Sequence, residues 1–133
     1  MQKAIYAGLM VATFCLGWHT SQAANTDRGR QIYTARCGGC HSILENGAGP
    51  RHQGLFGCRA GTQPGFAYSE ALRKSNIVWD EHTLDRWLAK PSSFVPGNKM
   101  IVQLLNDDAD RQNVIAYLRE TTRGPGDCIS PDE

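Results

Sequence analysis

The stretch ARCGGCHSI, residues 35–43, places Cys37, Cys40 and His41 within five positions of one another. Two cysteines and a histidine this close suit three chemistries: a dithiol redox pair, half of a zinc site, or attachment of a group through both sulfurs. A dithiol pair needs a strand-to-helix turn in an α/β domain. Here a helix-like segment precedes the motif and a glycine-rich run follows it, which is the wrong setting. A zinc site needs a second pair of ligands at suitable spacing. Cys58 and Cys128 are far apart in sequence, and His52 and His82 form no pair, so zinc stays open as the poorer fit.

The spacing C-x-x-C-H favours the third chemistry, the covalent attachment of a c-type haem. Both thiols add to the haem vinyl groups as thioethers, and the adjacent His41 is delivered to the iron. A turn at a helix end sets the two sulfurs against one porphyrin edge. A second axial ligand is then needed, and methionine suits, because its soft thioether favours ferrous iron. The chain has Met1, Met10 and Met100, of which the first two fall in an N-terminal segment expected to be removed. Met100 sits in SSFVPGNKMI, residues 92–101, where Pro96 and Gly97 signal turns rather than an apolar helical stripe. A lone methionine is ordinarily core filling, but this setting is not a core pattern. The competing ligands are His52 and His82. His82 falls in the first turn of a helix on its solvated side, and His52 follows Pro50 in a loop that stays on the His41 face. Met100 is therefore assigned.

The 133-residue chain opens with Lys3, an uncharged and largely apolar run over 4–18, and small residues Ser21 and Ala23 at signal-peptidase spacing. The run falls short of the roughly 20 residues a membrane span needs. Residues 1–23 read as a cleaved secretory signal, with a retained anchor as the alternative, and 24–133 as a single domain. Cys15 follows bulky Phe14, where lipoprotein processing wants a small residue, and reads as part of the signal. Lys3 is the one charge in residues 1–23, so the remainder carries 13 basic and 13 acidic side chains. That balance argues against a nucleic-acid partner. Export implies an oxidising compartment, and the domain keeps Cys37, Cys40, Cys58 and Cys128. A domain this small buries only roughly 60–70% of its unfolded surface. A disulfide, a metal or a large apolar cofactor is expected to support it.

The pattern predicts an all-α fold. A first helix spans 26–37, with Asp27 near its start and Gly29, Tyr33 and Arg36 on one face. A short helix lies within 69–75, with Ser69 as N-cap. Asp80 caps a third through 90, grouping Leu84, Trp87 and Leu88, and Pro91 ends it. Asn106 is expected to cap the last helix, with Asp107, Asp108 and Asp110 in its first turn and Val114, Tyr117 and Leu118 as its buried stripe. Residues 42–68 hold six glycines, Pro50 and Pro64 and show no strand alternation. A loop this long in a small domain is functional or wraps around something.

Taken together, the chain resembles the class I c-type cytochromes, the group of bacterial cytochrome c2 and mitochondrial cytochrome c. The resemblance covers nearly all of 26–121 and is carried by CGGCH (37–41), GP (49–50), GLFG (54–57), PGFAYSEA (64–71), Trp79, PGNKM (96–100) and VIAYLR (114–119). It implies the cytochrome c fold: three to five helices and long glycine-rich loops around one haem c. It further implies that the Pro50 carbonyl accepts the Nδ1–H of His41, that Tyr68 and Trp79 donate to a haem propionate, and that Gly29 and Tyr33 pack against Tyr117. Several positions depart from the family pattern. Cys58 stands where relatives usually carry an arginine near a propionate, so that charge partner is missing. Trp87 replaces a tyrosine beside the methionine sulfur, Asn98 a threonine, and His52 an apolar residue packed on the haem. Ser92, Ser93, Asn106, Asp107 and Asp108 fall where mitochondrial relatives are rich in lysine. Arg36 and Lys99 remain, which leaves a partner surface weakly basic at best and little electrostatic steering. Cys58 and Cys128 are the thiols left over after attachment, and in an oxidising compartment a disulfide between them is expected.

The function these readings imply is a soluble periplasmic one-electron carrier, monomeric and not an enzyme. It would dock transiently on membrane complexes and serve redox proteins as donor and acceptor. The competing readings are a haem enzyme or gas sensor with a labile sixth ligand, and a redox subunit fixed in a larger complex.

Overall fold

Asn25 begins the first helix: its side chain accepts the Arg28 N–H at 2.9 Å and opens α1, Thr26–Arg36. This computed structural model describes residues 23–103, 105–124 and 128, so nearly all of the expected signal segment lies outside the described residues. Among these residues four more helices follow: α2 (Glu70–Arg73), α3 (Glu81–Ala89), α4 (Pro91–Phe94) and α5 (Asp108–Thr121). The fold is all-α, and its one strand-like feature among them is a single antiparallel bridge between Arg59 and Val78.

Local chemistry accounts for most of the boundaries. Ser69 caps α2 by accepting the Leu72 N–H at 3.1 Å. Asp80 and Thr83 form a reciprocal capping box at the start of α3. Pro91 stops α3, as expected, but it also occupies the first position of α4, a helix the sequence pattern did not suggest. Its missing N–H costs nothing there and its fixed φ suits a helical start. The cap of α5 needs a correction of one residue. Asp107, not Asn106, is the N-cap; it has extended backbone (φ −84°, ψ 130°) and accepts the Asp110 N–H at 2.8 Å. Asn106 instead binds the Gln103 amide through its side chain. A run of Asn and Asp offers several capping side chains, and tertiary contacts select among them.

The helices cross at two places. Where α1 meets α5, Gly29 lies so close that a Cβ there would sit 2.0 Å from the Asn113 carbonyl oxygen. Tyr33 packs on Tyr117 with ring centroids 5.4 Å apart, and Asp110 pairs with Arg36 at 3.3 Å. Between α3 and α5, the buried Arg111 guanidinium donates to Asp85 at 2.9 Å and to the Leu105 carbonyl at 3.1 Å. Its charge is thus paired rather than stranded. Leu84, Trp87 and Leu88 share one core with Val114, Ile115 and Leu118.

The irregular stretch is fixed from two sides. Gly57 and Trp79 pair backbone N–H to carbonyl at 2.8 Å, Trp79 returns the bond to Cys58 at 2.9 Å, and Ala60 reaches Ile77 at 2.7 Å. A disulfide joins buried Cys58 to Cys128 across 70 residues, with Cα atoms 5.7 Å apart. It ties the C-terminal segment to the glycine-rich loop.

Two outcomes follow for stability. Gly29→Ala should cost about 3 kcal/mol, the upper end of overpacking, because the obstacle is backbone rather than a movable side chain; denaturant unfolding measures it. Cys58→Ser with Cys128→Ser should lower stability by about 4 kcal/mol on the loop-closure estimate, read by the same titration.

Candidate functional site

A cavity of about 280 Å³ lies between the helices and the glycine-rich loop. Its apolar walls include Leu55, Leu72, Leu84, Leu88, Val114 and Leu118, with Trp79 and Trp87 packed on each other at 5.6 Å. The end of α1 delivers the motif to this cavity. Cys37 and Gly38 both donate to the Tyr33 carbonyl, and Cys40 and His41 then fold back onto the Cys37 carbonyl at 3.0 and 2.9 Å. Cys37 is half-buried and Cys40 exposed, and both are free thiols. Burial pushes the Cys37 thiol up to about 11.

His41 is held on all sides. Its Nδ1 lies 2.8 Å from the Pro50 carbonyl, so that nitrogen donates and Nε2 keeps its lone pair. Burial lowers its pKa, against the Pro50 bond, which favours the neutral ring a metal requires. Gly49 approaches so closely that a Cβ would lie 2.2 Å from Cε1 of the imidazole. On another side His52 stacks on His41 with centroids 4.5 Å apart. His52 Nδ1 in turn shares a hydrogen bond of 3.0 Å with the Tyr33 hydroxyl. Burial, aided by His41, pushes the His52 imidazole down to about 3.

Met100 reaches the same cavity from the loop after α4. Asn98 shapes that loop: it is buried, and its amide donates to the Pro91 and Val95 carbonyls at 3.0 and 2.7 Å. Gly97 takes φ +85°, which favours glycine. Lys99 clamps the far side by donating to the Ala67 carbonyl at 2.8 Å. Pinned at three points, the thioether is carried on a built loop and not in a helical core stripe.

Cys37, Cys40, His41, Pro50, Tyr68, Trp79 and Met100 all line this one cavity, as do Cys58 and Cys128. His82 is exposed, away from it. Burial pushes the Tyr68 hydroxyl up to about 12, against the pull of the Gln63 backbone and Arg51. Arg51, Arg59 and Gln63 also line the wall and were not singled out from sequence. Their signal there is slight, since polar residues among loop glycines usually face solvent. Among the described residues no three His, Cys, Asp or Glu side chains converge to hold a metal ion by themselves. The zinc reading therefore lacks its second half.

The comparisons with known proteins agree with this geometry. The Cytochrome c family model matches residues 26–122. The chain belongs to the cytochrome c family. It is 39% identical to cytochrome c2 of Rhodomicrobium vannielii over 121 residues, covering 87% of this chain and 94% of that one. It is 46% identical over 85 residues to cytochrome c2 iso-2 of Magnetospirillum fulvum, covering 62% and 88%. The solved structure of cytochrome cH from Methylobacterium extorquens superposes with a TM-score of 0.70 at 38% identity, covering 73% of this chain and 99% of that one. The family implies haem c, and the site fits it: apolar walls, two free thiols, an oriented neutral imidazole and a thioether on a separate loop.

Gly49→Ala should disturb the imidazole, because the added methyl has no room. The expected result is a loss of about 1–3 kcal/mol in thermal unfolding. Gly39→Ala, with nothing within 4 Å of its added Cβ, should change little.

Proposed function

We propose that this member of the cytochrome c family is a soluble periplasmic carrier of single electrons. Cys37 and Cys40 would hold the haem as thioethers, and His41 and Met100 would bind its iron. The observation that carries the reading is the convergence of His41, locked by Pro50 and Gly49, and Met100, locked by Asn98 and Lys99, on one apolar cavity. When bound, the haem supplies an iron that changes valence by one electron.

The chain's own residues account for the rest. Pro50 fixes the imidazole plane, and the loop bonds hold the thioether in place through a change of charge, so little has to move during transfer. With His41 and Met100 both holding the iron, no position on it would be left open for a substrate. That favours a carrier over an enzyme. The apolar walls keep water from the site, and a methionine ligand favours the reduced form. Exposed Cys40, together with Ile101 and Val102 at 79% and 45% exposure, marks the edge where a partner would approach. Redox proteins would dock there briefly, with weak steering, since the charges balance. Residues 1–23 would direct export and be removed. Among the described residues no helix is long and apolar enough to cross a membrane.

Met100→Ala tests the reading. The substitution should abolish the weak far-red ferric band, lower the potential and open the ferrous form to rapid carbon monoxide binding. An unchanged spectrum would mean another sixth ligand. Rapid carbon monoxide binding by the native ferrous protein would point instead to an enzyme or a gas sensor.

A further inference from the structure

The cavity wall carries four cations, Arg36, Arg51, Arg59 and Lys99, and among the described residues no aspartate or glutamate. The whole chain has 14 basic and 13 acidic residues, so the wall is strongly biased. Such a wall suits an anion. Arg36 pairs with Asp110 at 3.3 Å and Lys99 donates to the Ala67 carbonyl at 2.8 Å.

Arg59 is different. Its backbone is pinned by the bridge to Val78 and by the bonds of its neighbours to Trp79 and Ile77. Its Nη1 donates to Asn76 Oδ1 at 3.1 Å, and Asn76 holds a left-handed φ of 53°. Its Nε is buried and has no hydrogen-bond partner. A buried donor on a cation is rarely left unsatisfied. An acceptor is missing, and a carboxylate matches the fork of a guanidinium. The neighbouring position, Cys58, cannot supply a charge because it is committed to the disulfide.

We infer that Arg59 binds a carboxylate of the haem and supplies the charge partner that Cys58 does not. The inference rests on the haem reading above. Haem carries two carboxylates, and the Leu and Val side chains of this wall offer them no donor, so they meet its polar side chains, Arg59 among them, or go to solvent. The other titratable groups lining the cavity are Cys37, Cys40, Tyr33, Tyr68, His41 and His52. Cys37, Cys40 and His41 would be taken up by the haem, His52 Nδ1 is engaged with the Tyr33 hydroxyl, and burial raises both tyrosines.

The test is the midpoint potential of the holoprotein as a function of pH. An ionised carboxylate near the iron favours the ferric state, so the potential falls as pH rises through its pKa. Removing the guanidinium makes ionisation harder. Arg59→Gln should therefore move that fall to higher pH by about 1–3 units, while Arg59→Lys, which keeps the charge without the fork, should return part of the shift. Arg30→Gln on the exposed face of α1 is the control and should leave the fall in place. The resonance Raman propionate-bending band should move in Arg59→Gln and not in Arg30→Gln. If Arg59→Gln binds haem at the wild-type level and matches Arg30→Gln in both readouts, the inference is wrong and the haem reading stands. If the wild-type protein carries no covalent haem, both fall.

Discussion

The hydrogen bond between His41 Nδ1 and the Pro50 carbonyl organises this molecule. It decides which ring nitrogen carries the proton, and so which one is free to bind a metal. It also joins the end of α1 to the glycine-rich loop, which otherwise has little regular structure to hold it. The same closure demands glycine at position 49, where the backbone passes within Cβ distance of the imidazole. Gly49 returns its own N–H to the Cys40 carbonyl at 2.7 Å, so ring and backbone fix each other. A bulkier residue at 49 would lose the ring orientation and the loop closure together.

The core explains why a cofactor belongs in this fold. Leu72, Leu84, Leu88, Val114 and Leu118 are buried and also line the cavity. The inward faces of α3 and α5 therefore meet each other over only part of their width. A flat apolar group filling the remainder would complete the same hydrophobic layer, at roughly 25 cal/mol for each Å² removed from water. On that account a bound haem would be a structural element as well as a redox centre, and thioether bonds from Cys37 and Cys40 would keep it in the core. The α1–α5 crossing and the disulfide act elsewhere. They hold α1, Cys128 and the loop around the cavity instead of filling it.

Much of this was legible in the residues, because the informative signals were short and chemical. C-x-x-C-H spaces two thiols and an imidazole along a helix end, and PGNKM declares a turn. Asp80 with Thr83 and Ser69 with Leu72 are local caps that need no tertiary knowledge. The misreadings share a different character. Asp107 displaced Asn106 as the cap of α5 because side chains on α5 and the preceding loop, Arg111 and Gln103, claim groups of Asn106. Helix α4 went unseen because a proline that ends one helix can begin the next, and four residues carry no periodicity. Arg51 and Arg59 carry no distinguishing signal among the loop glycines, and only the folded loop puts them on the cavity wall. Tertiary selection among equivalent local options is the part that spacing does not encode.

The departures from the family pattern form one connected exchange. The cysteine at 58 forms a covalent tether to Cys128 and brings no charge to that spot. The chain then has a tied loop there, with its cation on the next residue. Residue 59 is the nearest position able to restore the charge, and the antiparallel bridge to Val78 fixes its backbone next to Trp79. The disulfide supplies the rigidity on which such a replacement depends, since an arginine on a mobile loop would lose side-chain entropy on binding and hold its partner weakly. Tether and cation thus make sense together: the first fixes the loop, and the fixed loop would let the neighbouring guanidinium hold a carboxylate.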